Sequence, residues 1–442
     1  MPSSSSFKHA IVVGLGISGM AAVRLLKSQG YRVTGMDERA GETGAPELFE
    51  RFIPMICPDT LLEADLIILS PGFDPNRPEL KKARLKKIPI IGEMALGLRQ
   101  LKTPLVAITG TNGKSTVTEL IGAMLTASGK KVFTGGNLGL PLCDFVLQGC
   151  PADIAILEVS SFQLDTLESF TPDVAVLLNI SPDHLDRYPD MAAYTASKAR
   201  IFKDMKKGIA VLNHGDSQVR AIGEKLPLTI HWYDRENAGI AIREKNLILE
   251  NGKVLDLSNF PLPGRHNLEN LAAAMLAAKA AGATEKGMEN AIENFQGLEH
   301  RMTPAGSIHG IACYDDSKAT NMDAVCRALS AFNREVVLIM GGRDKGGDYK
   351  TMEESVRSHA RALILMGEAS DTIEQALGHM VPCIRAKNMD DAVKKAVQNA
   401  DAQTPILLSP ACSSFDMFRN YKERGMQFRE AVARLATEEV LP

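Results

Sequence analysis

The stretch that decides the fold is residues 108–116, I-T-G-T-N-G-K-S-T. An apolar run, 105–108, enters it, and a segment with Val117, Leu120, Ile121, Met124 and Leu125 at helical spacing leaves it. Between a strand and a helix, a glycine-rich turn lets successive backbone N–H groups cradle phosphate oxygens, and the helix N-terminus favours their charge. Gly110, Thr111, Asn112, Gly113 and Thr116 read as that cradle. Lys114 can reach the terminal phosphates, and the hydroxyl of Ser115 or Thr116 can ligate Mg²⁺. The general phosphate-loop pattern has a glycine six positions before the lysine, where this chain has Ile108, so the match is to a variant.

Upstream, strand-like runs at His9–Val13, Arg32–Met36, 65–70 and 88–91 alternate with helical spacing, as at 20–26. Such alternation predicts βα units and a parallel sheet. The first strand runs into G-L-G-I-S-G, with Gly14, Leu15, Gly16, Ser18 and Gly19, and Asp37 follows the third glycine by 18 residues. Glycines there let the backbone approach a diphosphate, and an acid at that distance can meet a ribose. On its own the motif is compatible with NAD or FAD, with another diphosphate such as UDP, or with a structural turn.

A boundary is expected at 101–104, with buried strands at 154–157, ending at Glu158, and at 174–178, ending at Asn179. The stretch 231–257 is more polar and suggests an antiparallel edge, and an Ala-rich helix is expected at 270–280. A third strand series begins near Arg301, with runs at 336–340, 361–366 and 405–409. The expected architecture is α/β with three domains, 1–100, 101–300 and 301–442. Each is a mostly parallel sheet with helices on its faces: Rossmann-like, phosphate-loop and Rossmann-like in turn. The polar clusters follow the strands, at the ends where open α/β sheets bind ligands.

The 442 residues allow two to four domains at roughly 100–200 residues each. A net charge of −3 offers no field for a polyanion, which disfavours nucleic-acid binding as the main activity. The seven cysteines form no CxxC pair, so neither a disulfide framework nor a zinc site is expected and a reducing cytoplasm fits. No signal peptide or membrane-spanning run is read.

The loop T-G-T-N-G-K-S-T resembles that of the Mur ligases and their folylpolyglutamate synthetase relatives. The resemblance runs in order along nearly the whole chain, and D-S-K-A-T-N from Asp316 is shared widely in that family. E-V-S-S-F-Q-L from Glu158 and S-P-A-C-S-S-F-D from Ser409 are more particular to its D-glutamate-adding branch. No D-N-P-R motif, which would point to the branch adding a diamino acid, is present.

The family implies an ATP-dependent, three-domain enzyme that makes an amide bond through an acyl phosphate. Its substrates would be ATP, UDP-N-acetylmuramoyl-L-alanine and D-glutamate, with Mg²⁺, or Mn²⁺ as the alternative ion, in a cytoplasmic monomer. By resemblance, Glu158 and His184 match Mg²⁺-site positions and Lys198, fourteen residues after His184, matches a lysine carbamylated in most Mur ligases. Asn137 lies near the phosphates, Asn267 and Asn270 read adenine, and Arg301 and Asp316 touch ribose and phosphates. Gly14–Gly19, Asp37 and Arg39 would hold UDP. Lys318, Thr320, Lys345, Ser414 and Tyr421 would meet D-glutamate, Tyr421 standing where better-known members carry Phe. Cys412 reads as a small buried hydrophobe, since an acyl-phosphate route needs no protein nucleophile. The rivals are another ligase of the same fold, a nicotinamide-dependent oxidoreductase resting on G-L-G-I-S-G, and a non-catalytic nucleotide-binding regulator.

Overall fold

The structure, a computed structural model, describes residues 8–38, 46–137, 139–235, 239–258, 260–262 and 264–437. Arg39 lies outside them. Three sheets follow one another along the chain. The first has five strands, all parallel, in the order Arg51–Ile53, Arg32–Met36, His9–Val13, Leu66–Leu69, Ile90–Gly92. The order reverses beside His9–Val13, so a crevice opens at the carboxyl end of that strand. There Gly14 turns with φ +85°, helix Ile17–Ser28 begins, and a Cβ on Gly19 would come within 1.9 Å of the Gly14 carbonyl oxygen.

The second sheet has nine strands. Leu105–Thr109 lies between Ile154–Glu158 and Val174–Leu177, all parallel and buried on both faces, which suits their Val/Ile/Leu/Ala content. Strand Ile154–Glu158 ends at Glu158, as its sequence suggests. Strand Thr229–Tyr233 pairs parallel with Ile209–Asn213, and the antiparallel edge begins only at Ile240–Arg243. The Ala-rich helix starts five residues earlier than its apolar content indicates, at Arg265, so Asn267 and Asn270 sit in its first turns.

The third sheet has six strands, with Val336–Gly341 between Ile406–Leu408 and Ala360–Met366 in parallel and only the Thr303–Ile308/Ile311–Asp315 pair antiparallel. The cores divide unevenly. One apolar cluster runs from Val12 and Leu26 through Met94 to Leu142, Phe145 and Leu164, joining the first sheet to the second. Among the described residues, the clusters of the third sheet, around Leu338 and Ile339, contain only residues of the third unit. Polar contacts therefore dominate the seam between the second and third units.

Candidate active site

Strand Leu105–Thr109 delivers the chain into the turn at 110–113, and helix Lys114–Ala127 leaves it. Gly113 is left-handed, φ +87°, and a Cβ there would stand 2.2 Å from Asn270 Oδ1. The turn thus needs glycine both for its backbone angle and for the approach of the neighbouring helix. Lys114 Nζ donates to the carbonyls of Gly110 and Thr111, each at 2.9 Å.

Glu158 is buried at the end of its strand. It accepts from Ser115 Oγ at 2.6 Å and from Asn137 Nδ2 at 2.8 Å. Burial works to raise its pKa, but Lys114, Lys318 and these two donors outweigh it and hold the carboxyl below its usual range. Lys318, from the third unit, donates to the same Ser115 Oγ at 2.6 Å, and its Nζ lies 5.4 Å from the Tyr421 ring centroid. Burial, with Arg301 nearby, lowers its pKa to about 7.

His184 follows Asp183 with a left-handed backbone, φ +58°, its ring 4.7 Å from that of Phe162. Burial lowers its pKa although Asp183 opposes the shift, so the imidazole stays neutral and able to act as a ligand. Asp183 accepts from Lys345 Nζ at 3.4 Å and from Asn321 Nδ2 at 3.0 Å. Helix Met191–Ala199, capped by Asp190, places Tyr194 and Lys198 four residues apart on one face. Lys198 is buried, donates to the Gly110 carbonyl at 2.8 Å and lies 4.5 Å from the Tyr194 ring centroid. Burial and the Lys114 charge push its pKa well below the ordinary lysine value.

A cleft runs from the phosphate loop to the third unit. It collects Thr111–Thr116, Asn137, Glu158, His184, Asn267, Asn270, Arg301, Asp316, Lys318, Thr320, Lys345 and Tyr421. Asn270 Nδ2 donates to Asn267 Oδ1 at 3.2 Å. Arg301 Nε is buried with no hydrogen-bond partner among the described residues, which suits a nucleotide oxygen. Asp316 accepts from Ser409 Oγ at 2.9 Å, and burial lifts its pKa to about 7. Lys198 stands behind the loop rather than lining the cleft. Ser414 is buried in a turn and does not line it. Lys318 sits on the phosphate side, against Ser115, whereas Lys345 and Thr320 meet at 3.3 Å further along. In the first unit, Asp37 Oδ2 accepts from the Leu15 N–H at 2.6 Å, so this acid shapes the glycine turn.

Sequence reading passed over Asp183, although it directly precedes His184, and over Tyr194, whose spacing from Lys198 on one helix was a usable signal. Asp323 and Arg327 carry no local mark.

Can these residues hold Mg²⁺? Among the described residues, no group of three or more His, Cys, Asp and Glu forms a metal cage. Mg²⁺ takes few protein oxygens and completes its shell with phosphates and water. One ionised carboxylate beside a hydroxyl at the start of the loop helix fits that habit.

Fold and site together define an α/β phosphate-loop protein of three units, with a nucleotide cleft between the second and third. The Mur ligase middle domain matches residues 108–278, the Mur ligase MurD-like N-terminal domain 8–92, and the Mur ligase glutamate ligase domain 300–412. The chain belongs to the Mur ligase family. It is 44% identical over 450 residues to the UDP-N-acetylmuramoylalanine–D-glutamate ligase of Desulfosudis oleivorans, covering 98% of each chain. It is 39% identical to the enzyme of that name from Acinetobacter baylyi, covering 95% and 96%. Among solved structures, a pseudomurein peptide ligase type C from Methanothermus fervidus superposes with TM-score 0.63 at 21% identity, over 97% of this chain and 100% of that one. MurF of Thermotoga maritima in complex with ADP gives 0.62 at 16% identity, over 98% and 96%. At such identities these two share the fold. Family membership sets aside the oxidoreductase reading of G-L-G-I-S-G.

Proposed function

We propose that this chain is an ATP-dependent ligase that joins D-glutamate to UDP-N-acetylmuramoyl-L-alanine in peptidoglycan precursor synthesis, releasing ADP and phosphate. The observation that carries the reading is the convergence on Ser115. Its hydroxyl, next to Lys114, meets both Glu158 and Lys318 at 2.6 Å, so loop, acid and third-unit cation share one point.

The turn at Gly14–Gly19 holds the UDP end of the acceptor, and the loop at 110–116 holds ATP. Asn267 and Asn270 read the base, while Arg301 and Asp316 meet the ribose and phosphates. Ser115, Glu158, His184 and a carbamylated Lys198 would hold Mg²⁺, or Mn²⁺ in its place. The ion supplies charge neutralisation for the phosphates. Neutral Lys198 Nζ attacks the carbon of CO₂ and loses a proton to solvent, which turns a buried amine into an anionic oxygen donor. Its lowered pKa favours that step.

The alanyl carboxylate attacks the γ-phosphorus, and the bond to ADP breaks. The unprotonated amine of D-glutamate, held by Lys345, Thr320 and Tyr421, attacks the acyl carbon, phosphate leaves with the electron pair, and the nitrogen gives up one proton to the departing phosphate. Positioning and charge neutralisation lower the barrier, and closure of the cleft keeps water from the acyl phosphate. The reaction is proposed to run in the cytoplasm, with the chain a monomer.

Phosphate release in the presence of the UDP-linked acceptor and a panel of amino acids tests this reading. Only D-glutamate should drive release. Release driven by L-alanine, L-glutamate or a diamino acid in its place would refute it.

A further inference from the structure

We propose that Asp323 is a positioning residue for the phosphate loop. From the third unit it holds the side chain of Asn112, and so couples closure of the amino-acid-binding unit to the seating of ATP. The inference rests on the loop's being the ATP site.

Asn112 is held on two sides. Behind it, within its own unit, its N–H donates to Asn179 Oδ1 at 2.8 Å and its carbonyl accepts from Asn179 Nδ2 at 3.1 Å. In front, across the seam, its Nδ2 donates to Asp323 Oδ2 at 2.6 Å and its Oδ1 accepts from Asn321 Nδ2 at 3.1 Å. The same Asp323 oxygen accepts from Ser181 Oγ at 3.1 Å and from Arg327 Nε at 2.9 Å. Three donors on one oxygen call for a carboxylate, and charge-assisted bonds are the strong ones.

Arg327, one turn on, also reaches Glu269 at 3.6 Å on helix Arg265–Ala280, whose first turns carry Asn267 and Asn270. One turn of the third unit therefore touches the phosphate loop, the segment before His184 and the helix that reads the base. That turn continues into the glutamate pocket. The Asn321 amide also donates to Asp183 at 3.0 Å, and Thr320 accepts from Lys345 at 3.3 Å. Because these contacts are polar and, among the described residues, no apolar cluster spans the seam, the latch can open and close.

The test uses the full chain with Asp323→Ala, Asn112→Ala and both together. Asp323→Ala should raise KM for ATP and for D-glutamate about tenfold or more, leaving KM for the UDP-linked acceptor and the melting temperature unchanged. The double variant should lose no more than the worse single one, because both remove the same contact. By small-angle scattering, Mg²⁺ with a non-hydrolysable ATP analogue should compact the wild type but not Asp323→Ala, although the analogue still binds both. Additive losses, or unchanged KM values and compaction in Asp323→Ala, would overturn the latch. Failure of the wild type to bind the analogue would instead overturn the ATP reading. Should Asp323→Ala not fold, Asp323→Asn keeps the shape and one acceptor and carries the same test, with a rise of about threefold expected and none overturning the proposal.

Discussion

Lys114 is satisfied here by two carbonyls of its own loop, an arrangement that nucleotide phosphates would replace. Lys114→Ala should lower ATP turnover by about a hundredfold to a thousandfold, the scale for losing one aimed donor in a water-poor site. Near-wild-type turnover would refute the loop's role. Lys198→Ala should be similarly inactive and regain part of its activity with added short carboxylic acids, which supply the missing anionic oxygen. A fully active variant would exclude the carbamate.

Lys318 gives a prediction in pH. With a pKa of about 7 it is mostly neutral at pH 8, and a bound phosphate anion favours its ammonium form. Nucleotide binding at pH 8 should therefore take up a proton, seen as a dependence of the calorimetric heat on the ionisation enthalpy of the buffer. Lys318→Met should abolish that uptake.

At the scale of elements, the strand–turn–helix at 105–127 depends on Gly113. Gly113→Ala would force a left-handed alanine, costing roughly 1–2 kcal/mol, and would press Asn270 off the start of its helix. Lower thermal stability together with lost binding of an ATP analogue is expected, and unaltered binding would contradict the geometry.

The elements best legible in sequence are those buried on both faces. Strands His9–Val13 and Arg32–Met36 lie where the sequence suggests them, and their buried residues suit the middle of a parallel sheet. The short edge strands Arg51–Ile53 and Cys383–Arg385, and the half-exposed Thr303–Ile308 with Pro304 and Gly306, have no such run, and their neighbours' backbone groups make them strands. Ile209–Asn213 is as apolar as any core strand, so its signal is present in the sequence. Site residues obey the same logic. Gly110–Thr116, Glu158 and Lys198 are marked by their own segments. The contacts that Asp183 and Asp323 make across the seam form only once the third unit is docked, and no local pattern encodes that docking.

Across the whole molecule the two seams differ in kind. The first and second units share one apolar core, while the third keeps its own cores and meets them through hydrogen bonds and ion pairs. Urea should therefore unfold the chain in two steps. Far-ultraviolet circular dichroism should register both, and fluorescence of Trp232, the single tryptophan, which lies in the second unit, only that of the joined pair. One coincident transition by both probes would contradict this division. A joined pair with a detachable third unit suits a reaction that must exclude water and then release product.

In the proposed reaction the turn at 110–116, with Lys114 and Glu158, grips ATP. A crystal structure of the chain with a non-hydrolysable ATP analogue and Mg²⁺ tests it most directly. The phosphates should lie against the backbone N–H groups of this turn, with Lys114 Nζ turned from the carbonyls to the phosphates and the ion beside Glu158 and Ser115. An occupied nucleotide elsewhere, with this turn empty, would contradict it.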